Sequence, residues 1–105
     1  IYIADIHDGD YIKVRAVDFG HSSPKKFHVV AASARRGGTI EMRLDSIGGS
    51  IIAKVDVPPT GGWEQWKRLK CNTTGNVSGV HDLYFVFKGR KGCKLFNLDW
   101  WRFDN

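Results

Sequence analysis

The sequence predicts an all-β domain built as a β-sandwich or barrel. Apolar and polar residues alternate with a period of two along much of the 105-residue chain, and no segment keeps a helical period. Turns that contain Gly or Pro separate the alternating segments at short intervals, which is typical of antiparallel sheets. The length fits one domain, residues 1–105, with a single core.

Seven segments carry the strand pattern. The clearest is Thr39–Asp45, in which Ile40, Met42 and Leu44 alternate with charged residues. His81–Lys88 is apolar on both faces, as expected of a strand at the centre of a sheet. In chain order, the predicted strands are Asp10–Asp18, Lys26–Ala34, Thr39–Asp45, Ser50–Val57, Gln65–Cys71, His81–Lys88 and Leu95–Phe103.

The first predicted strand, Asp10–Asp18, has a simple alternation. Ile12, Val14 and Ala16 fall on one side of it, and charged residues lie between them. Since successive side chains of a strand point to opposite faces, these three residues are predicted to face the core.

The last predicted strand, Leu95–Phe103, carries two polar residues within a dense apolar and aromatic run. Asn97 lies near its beginning and Asp99 is two residues further on, so strict alternation predicts that they share a face. Polar groups in such a run need partners, because burying them unpaired costs a few kcal/mol each. The partner could be backbone, a metal ion or a ligand.

The charge of the chain is moderately basic. The formal net charge is +5, and Lys and Arg are dispersed with no run longer than two. This dispersion favours a generally basic surface over a nucleic-acid footprint, although an OB-type binder of single strands stays an alternative. No stretch is long and apolar enough to span a membrane, and no secretion signal is visible. We therefore expect a module that was part of a larger protein.

The sequence offers no catalytic machinery. The four histidines match no metal-binding spacing, no Ser lies in a nucleophile elbow, and the carboxylates form no evident glycosidase pair. This pattern favours a binding role over a glycosidase. Cys71 and Cys93 match no metal site either, and they could form one disulfide or be two separate thiols.

The segment Thr60–Trp66 is the strongest indication of a binding site. Two glycines precede Trp63 in a turn that cannot easily bury the ring, whereas Trp66 is expected to lie on the following strand and pack inside. An indole on a loop suits the flat face of a sugar ring or a nucleobase. The alternative is that Trp63 folds back over the sandwich edge in a structural domain without a ligand.

Six motifs follow one another in a fixed order along nearly the whole chain. They are Gly9-Asp10-Tyr11-Ile12, Val17-Asp18-Phe19-Gly20, the segment Gly38–Ser46, Thr60-Gly61-Gly62-Trp63 with Trp66, the segment Gly79–Phe87, and the segment Leu95–Trp100. Together they resemble carbohydrate-binding module family 6. The resemblance is greatest to the modules appended to bacterial arabinofuranosidases and xylosidases that degrade xylan.

The resemblance implies a β-sandwich jelly roll with a sugar site in the loops at one end. In this family two aromatic rings flank a sugar ring, and an Asn hydrogen-bonds its hydroxyls. Trp63 matches one ring and Asn97 matches the Asn. Tyr2 is the candidate for the second ring, while an ungapped match places Asp5 at that position. Tyr11 matches an aromatic residue that, in some members, belongs to a second site on the concave sheet face.

The resemblance also implies a cofactor, partners and a location. Asp99 matches a position that helps to hold a structural calcium ion, but the Glu-rich N-terminal strand that usually completes this site is not found in the sequence. The resemblance therefore implies a calcium site that is either incomplete or lost, and a sandwich that could lack the N-terminal edge strand of the family. The implied partners are xylan or arabinoxylan and an attached glycoside hydrolase, without nucleic acid or membrane. The implied setting is a secreted bacterial protein.

Overall fold

The computed structural model describes residues 2–104, which form eight β-strands. This part of the chain has no helix with the length and apolar character that a membrane span requires. The strands are β1 Ile3–His7, β2 Tyr11–Asp18, β3 Lys26–Ala32, β4 Gly38–Leu44, β5 Ile51–Val57, β6 Lys67–Asn72, β7 Val80–Lys88 and β8 Lys94–Asp104.

The strands form two four-stranded antiparallel sheets, in the orders β1-β8-β3-β6 and β2-β7-β4-β5. Their inner faces enclose one hydrophobic core, which confirms the β-sandwich prediction. Aromatic rings join the sheets edge to face: Phe27 meets Phe85 at a centroid distance of 6.2 Å, and Phe87 meets Phe96 at 5.6 Å. These contacts make a firm platform for the loops at the sandwich ends.

The sequence pattern did not predict β1. Ile3 pairs with Leu98 and Ile6 pairs with Phe96, so β1 holds one residue more than β8 between these pairs. Asp5, within this bulge, has a φ of 62°. The extra residue breaks the period-two alternation, which is why the segment does not read as a strand. In residues 2–104, β1 and β6 are the outer strands of their sheet.

A second bulge lies in β8. Ala31 pairs with Leu98 and Val30 pairs with Trp100, which makes Asp99 an extra residue. Alternation therefore does not continue through this strand, so the argument that gave Asn97 and Asp99 a common face fails. Asn97 is buried with 1% of its surface exposed, whereas Asp99 is exposed.

A third bulge corrects the prediction for β2. The register with β7 shifts between Val14 and Val17, and Ala16 adopts a φ of 54°. Ala16 is exposed and Val17 packs against the core in its place, so the inward orientation predicted for Ala16 was wrong. Ile12 and Val14 contact the core as predicted.

The two cysteines are separate thiols. Cys71 lies on β6 and Cys93 precedes β8, and both are free and half-buried. Burial raises the pKa of the Cys71 thiol, which favours its uncharged form. The structure therefore matches the second of the two alternatives that the sequence left open.

Candidate functional site

The β5–β6 loop, residues 58–66, is fixed at its base by the end of β3. The Thr60 N–H donates to the Ser33 carbonyl at 2.8 Å, and the Ser33 N–H donates to Thr60 Oγ1 at 2.9 Å. Gly61 has a φ of 102°, a conformation that glycine adopts without strain. The loop that carries Trp63 thus starts from a rigid, hydrogen-bonded anchor.

Trp63 is half-buried, so part of its ring stays accessible. Its carbonyl accepts a hydrogen bond from Asn97 Nδ2 at 2.8 Å, which fixes its backbone to β8. Lys94 Nζ lies 4.3 Å from the centre of the indole, within the range of a cation–π interaction. Two residues of β8 therefore contact Trp63: Asn97 fixes its backbone and Lys94 lies against its ring.

Asn97 joins three parts of the site. Besides its bond to Trp63, its Oδ1 accepts the Asp5 N–H at 3.3 Å, which ties the bulge of β1 to the Trp63 loop. The amide keeps one N–H and one lone pair beyond these two bonds. Asn97 thus positions the loop, and its contact with a sugar hydroxyl stays a prediction.

Tyr2 lies against the same loop. Its hydroxyl donates to Glu64 Oε1 at 3.3 Å, and its ring meets Trp66 edge-on at a centroid distance of 4.9 Å and an angle of 72°. Partial desolvation and the nearby Glu64 carboxylate raise the pKa of Tyr2. The structure therefore brings Tyr2, Trp63 and Asn97 to one end of the sandwich.

The prediction that Trp66 packs inside a strand was wrong. β6 begins only at Lys67, and Trp66 belongs to the loop with 36% of its surface exposed. The loop is closed by a turn in which the Gln65 N–H donates to the Gly62 carbonyl at 3.3 Å. The sequence does contain an indication that Trp66 lies in the loop: it follows Trp63 by three residues, in a segment with two glycines before Trp63.

The calcium prediction rests on Asp99, which is exposed on β8. Calcium takes six to eight oxygen ligands, usually with several carboxylates. No group of three or more His, Cys, Asp or Glu side chains in residues 2–104 could hold a metal ion. The described side chains therefore do not fit a carboxylate-rich calcium site, and calcium binding at Asp99 stays a prediction.

The chemistry of this end of the sandwich suits recognition of a sugar ring. Trp63, Trp66 and Tyr2 supply aromatic surface, while Glu64 and Lys94 supply a few polar groups. Small-molecule sites usually combine aromatic surface with a few well-placed polar groups. The C–H face of a pyranose can stack on such rings while polar groups bind its hydroxyls.

Comparisons with known proteins agree with this fold. The model of carbohydrate binding module (family 6) matches residues 2–105. The arabinoxylan arabinofuranohydrolase of Paenibacillus polymyxa is 42% identical over 101 residues, or 96% of this chain. These residues are 16% of that relative, so the chain spans only a small part of its length.

Two solved structures are also similar. A family 6 module from Clostridium cellulolyticum, in complex with xylose, has a TM-score of 0.92 and 41% identity over 99% of this chain and 78% of its own. A β-1,3-glucan-binding family 6 module from Bacillus halodurans has a TM-score of 0.88 and 38% identity, and the match covers 95% of this chain and 73% of that module's chain.

These findings confirm the sandwich fold, the family resemblance and the expectation that the domain is not an enzyme, since the family consists of non-catalytic binding modules. The match covers nearly the whole chain. The chain belongs to carbohydrate-binding module family 6.

Proposed function

We propose that this module binds xylan or arabinoxylan of the plant cell wall and tethers an attached glycoside hydrolase to it. The proposal is supported by the name of the Paenibacillus polymyxa relative, an arabinoxylan arabinofuranohydrolase, and by the xylose complex of the Clostridium cellulolyticum module. A secreted protein is part of this proposal, since the bacterial relatives are glycoside hydrolases, which are typically extracellular.

The observation that carries the proposal is the anchored loop that presents Trp63. Its base is bonded to Ser33 and its Trp63 carbonyl to Asn97, so little order must be gained when a ligand binds. A xylose unit stacks its C–H face on Trp63, Asn97 contacts a hydroxyl, and Tyr2 forms the second ring surface.

Such a site binds weakly, because it offers few contacts to set against the cost of immobilising a glycan. Weak binding is sufficient for a tether. A linked catalytic domain is held near the polysaccharide, which raises its effective substrate concentration without any new contact.

The test is a titration of the isolated module with xylo-, cello- and laminari-oligosaccharides in parallel, followed by tryptophan fluorescence. We expect a saturable change that is strongest with the xylo-oligosaccharides and absent in Trp63→Ala. No hydrolysis of soluble xylan should accompany it. A response to laminari-oligosaccharides alone would overturn the xylan proposal.

A β-1,3-glucan ligand is the second candidate, favoured by the similarity to the Bacillus halodurans module. Two further experimental outcomes would place this protein in a different functional class. A steep loss of affinity with salt, seen with a single-stranded oligonucleotide, would indicate a nucleic-acid binder. No response to any glycan would indicate a structural domain.

A further inference from the structure

A cationic cavity adjoins the Trp63 loop. It has a volume of about 300 Å³ and lies between the β3–β4 turn, the β7–β8 turn and the start of β8. Four of its lining residues are cationic and none is acidic. The four cations are Arg35, Arg36, Arg90 and Lys94.

The four cations are not neutralised by neighbouring carboxylates. The ion pairs found within residues 2–104 involve other side chains, and Lys94 instead lies over the Trp63 ring. Positive charges gathered around a concave surface raise the local potential and attract anions. The cavity is therefore suited to a negatively charged group.

Ser33 connects this cavity to the Trp63 loop. Its side chain is fully buried, and its Oγ accepts the N–H groups of Arg35 at 3.3 Å and Gly37 at 3.1 Å and donates to the Leu95 carbonyl at 2.6 Å. Its backbone holds Thr60 at the base of the loop. One buried residue thus fixes both the cavity and the aromatic site.

The β3–β4 turn that carries Arg35 and Arg36 has a defined shape. Gly37 has a φ of 73°, and a Cβ built there would lie 1.8 Å from the Val57 carbonyl oxygen. Only glycine fits this position, so the backbone of the turn is set before any ligand arrives. The arginines extend from a preorganised base.

We propose that the cavity binds the carboxylate of a uronic acid substituent on the glycan chain that stacks on Trp63. This inference rests on the proposed function, since it places the neutral main chain of the glycan at the aromatic site. The guanidinium groups of Arg35 and Arg36 match the planar geometry of a carboxylate. Lys94 contacts Trp63 and also lines the cavity, so it marks where the substituent leaves the main chain. The volume lies at the lower end for small-ligand pockets, which suits one sugar unit.

The experiment compares two probes by isothermal titration calorimetry with the intact module. One is a xylo-oligosaccharide with a single glucuronic acid branch, and the other is the same compound with its carboxyl group reduced to the alcohol. At low salt we expect the acidic probe to bind about tenfold more tightly. The double substitution Arg35→Gln with Arg36→Gln should remove this preference and leave affinity for the reduced probe unchanged.

The matched control is Lys25→Gln with Lys26→Gln, which removes the same charge at the opposite end of β3. It should keep the preference. Equal binding of the two probes to the wild type, or equal loss in both double variants, would overturn the proposal. Equally tight binding of a sulfated xylo-oligosaccharide would overturn the assignment to a carboxylate, and competition by oligo-dT at similar concentrations would overturn the assignment to a glycan.

The failures of the two proposals are distinguishable. If neither probe binds the wild type, both proposals are overturned. If the reduced probe binds through Trp63 without any gain from the carboxylate, only the cavity proposal fails. If the acidic probe binds and Trp63→Ala has no effect on it, the cavity proposal fails in its placement of the glycan main chain.

Discussion

Two aromatic surfaces of the molecule differ in what supports them. At the loop end, Trp63 is backed by the buried Asn97, and its loop is bonded to the buried Ser33. On β2 and β7, Tyr11 and Tyr84 lie 6.0 Å apart, and Tyr11 has 53% of its surface exposed. The ion pairs on that face include Lys13 with Asp82, which is partly exposed, and Arg43 with the buried Glu41.

The two surfaces differ in how their aromatic rings are supported, not in whether a cation lies close to a ring. A lysine lies near an aromatic ring on both surfaces, with Lys94 at 4.3 Å from Trp63 and Lys13 at 5.5 Å from Tyr84. The Trp63 loop is held by the buried polar residues Asn97 and Ser33. On the other face the buried Glu41 pairs with Arg43 within β4, and Tyr11 and Tyr84 lie on strands. Burying a polar group without a hydrogen-bond partner costs free energy. A loop whose buried polar groups all have partners is therefore restricted to one geometry. The Trp63 loop is therefore preorganised although it lies outside the strands.

The largest expected effect separates these surfaces directly. Trp63→Ala should weaken binding of xylo-oligosaccharides by about 100-fold or more, because the main stacking surface is lost. Tyr11→Ala should change it by less than about twofold. Calorimetric titration measures both. A comparable loss in Tyr11→Ala would show that the β2–β7 face is a second site for the same glycan.

The next largest effect tests the role of the buried Asn97 in supporting the Trp63 loop. Asn97→Ala should destabilise the fold by about 2 kcal/mol, since the Asp5 N–H and the Trp63 carbonyl lose their partner, and should also weaken binding. The melting temperature should fall by several degrees. Asn76→Ala, at an exposed loop position, is the control and should change neither. Lost binding at unchanged stability would make Asn97 a sugar contact alone.

A smaller effect tests the contact between Trp66 and Tyr2. Edge-to-face pairs contribute about 1 kcal/mol, so Trp66→Ala should weaken binding by about fivefold if Tyr2 is the second ring. Trp66→Phe keeps an aromatic edge and should recover most of the affinity. Unchanged affinity in Trp66→Ala would remove Tyr2 from the site.

The smallest expected effect is a pH dependence of stability that arises from His81, near the start of β7. A hydrogen bond to the Asp45 carboxylate and a second to the Ser78 carbonyl raise the pKa of His81. Because the folded pKa lies above the unfolded value near 6.5, the stabilisation is full below that value and is lost as pH rises through the folded pKa. Melting temperatures between pH 5 and 8 should show this decline, flattened in His81→Gln. Glycan affinity should not follow it.

Most of the fold could be predicted from the sequence, because seven of the eight strands fall in segments with the alternating or continuous apolar pattern of a sheet. The exceptions lie at bulges. β1 was not predicted because Asp5 lies within a bulge that disrupts the alternation of this strand. Ala16 faces outward because β2 also contains a bulge. A bulge has no periodic signature, since it is set by pairing with a strand far along the chain.

The site was predictable to a lesser degree. Trp63 stands out because glycines precede an indole, and Asn97 because it interrupts an apolar run. Trp66 was misplaced because a short turn after Gly62 delays the start of β6. The hydrogen bonds of Ser33 to Thr60 and Leu95 carry no local signal, because these partners lie 27 and 62 residues away.

The shared anchor at Ser33 has a consequence for engineering. A β5–β6 loop grafted from another module would lose its shape unless its residue at position 60 still matched Ser33, and the β3–β4 turn would shift with any change at that serine. The two loops form one transplantable unit, and new specificities should be built by exchanging both together.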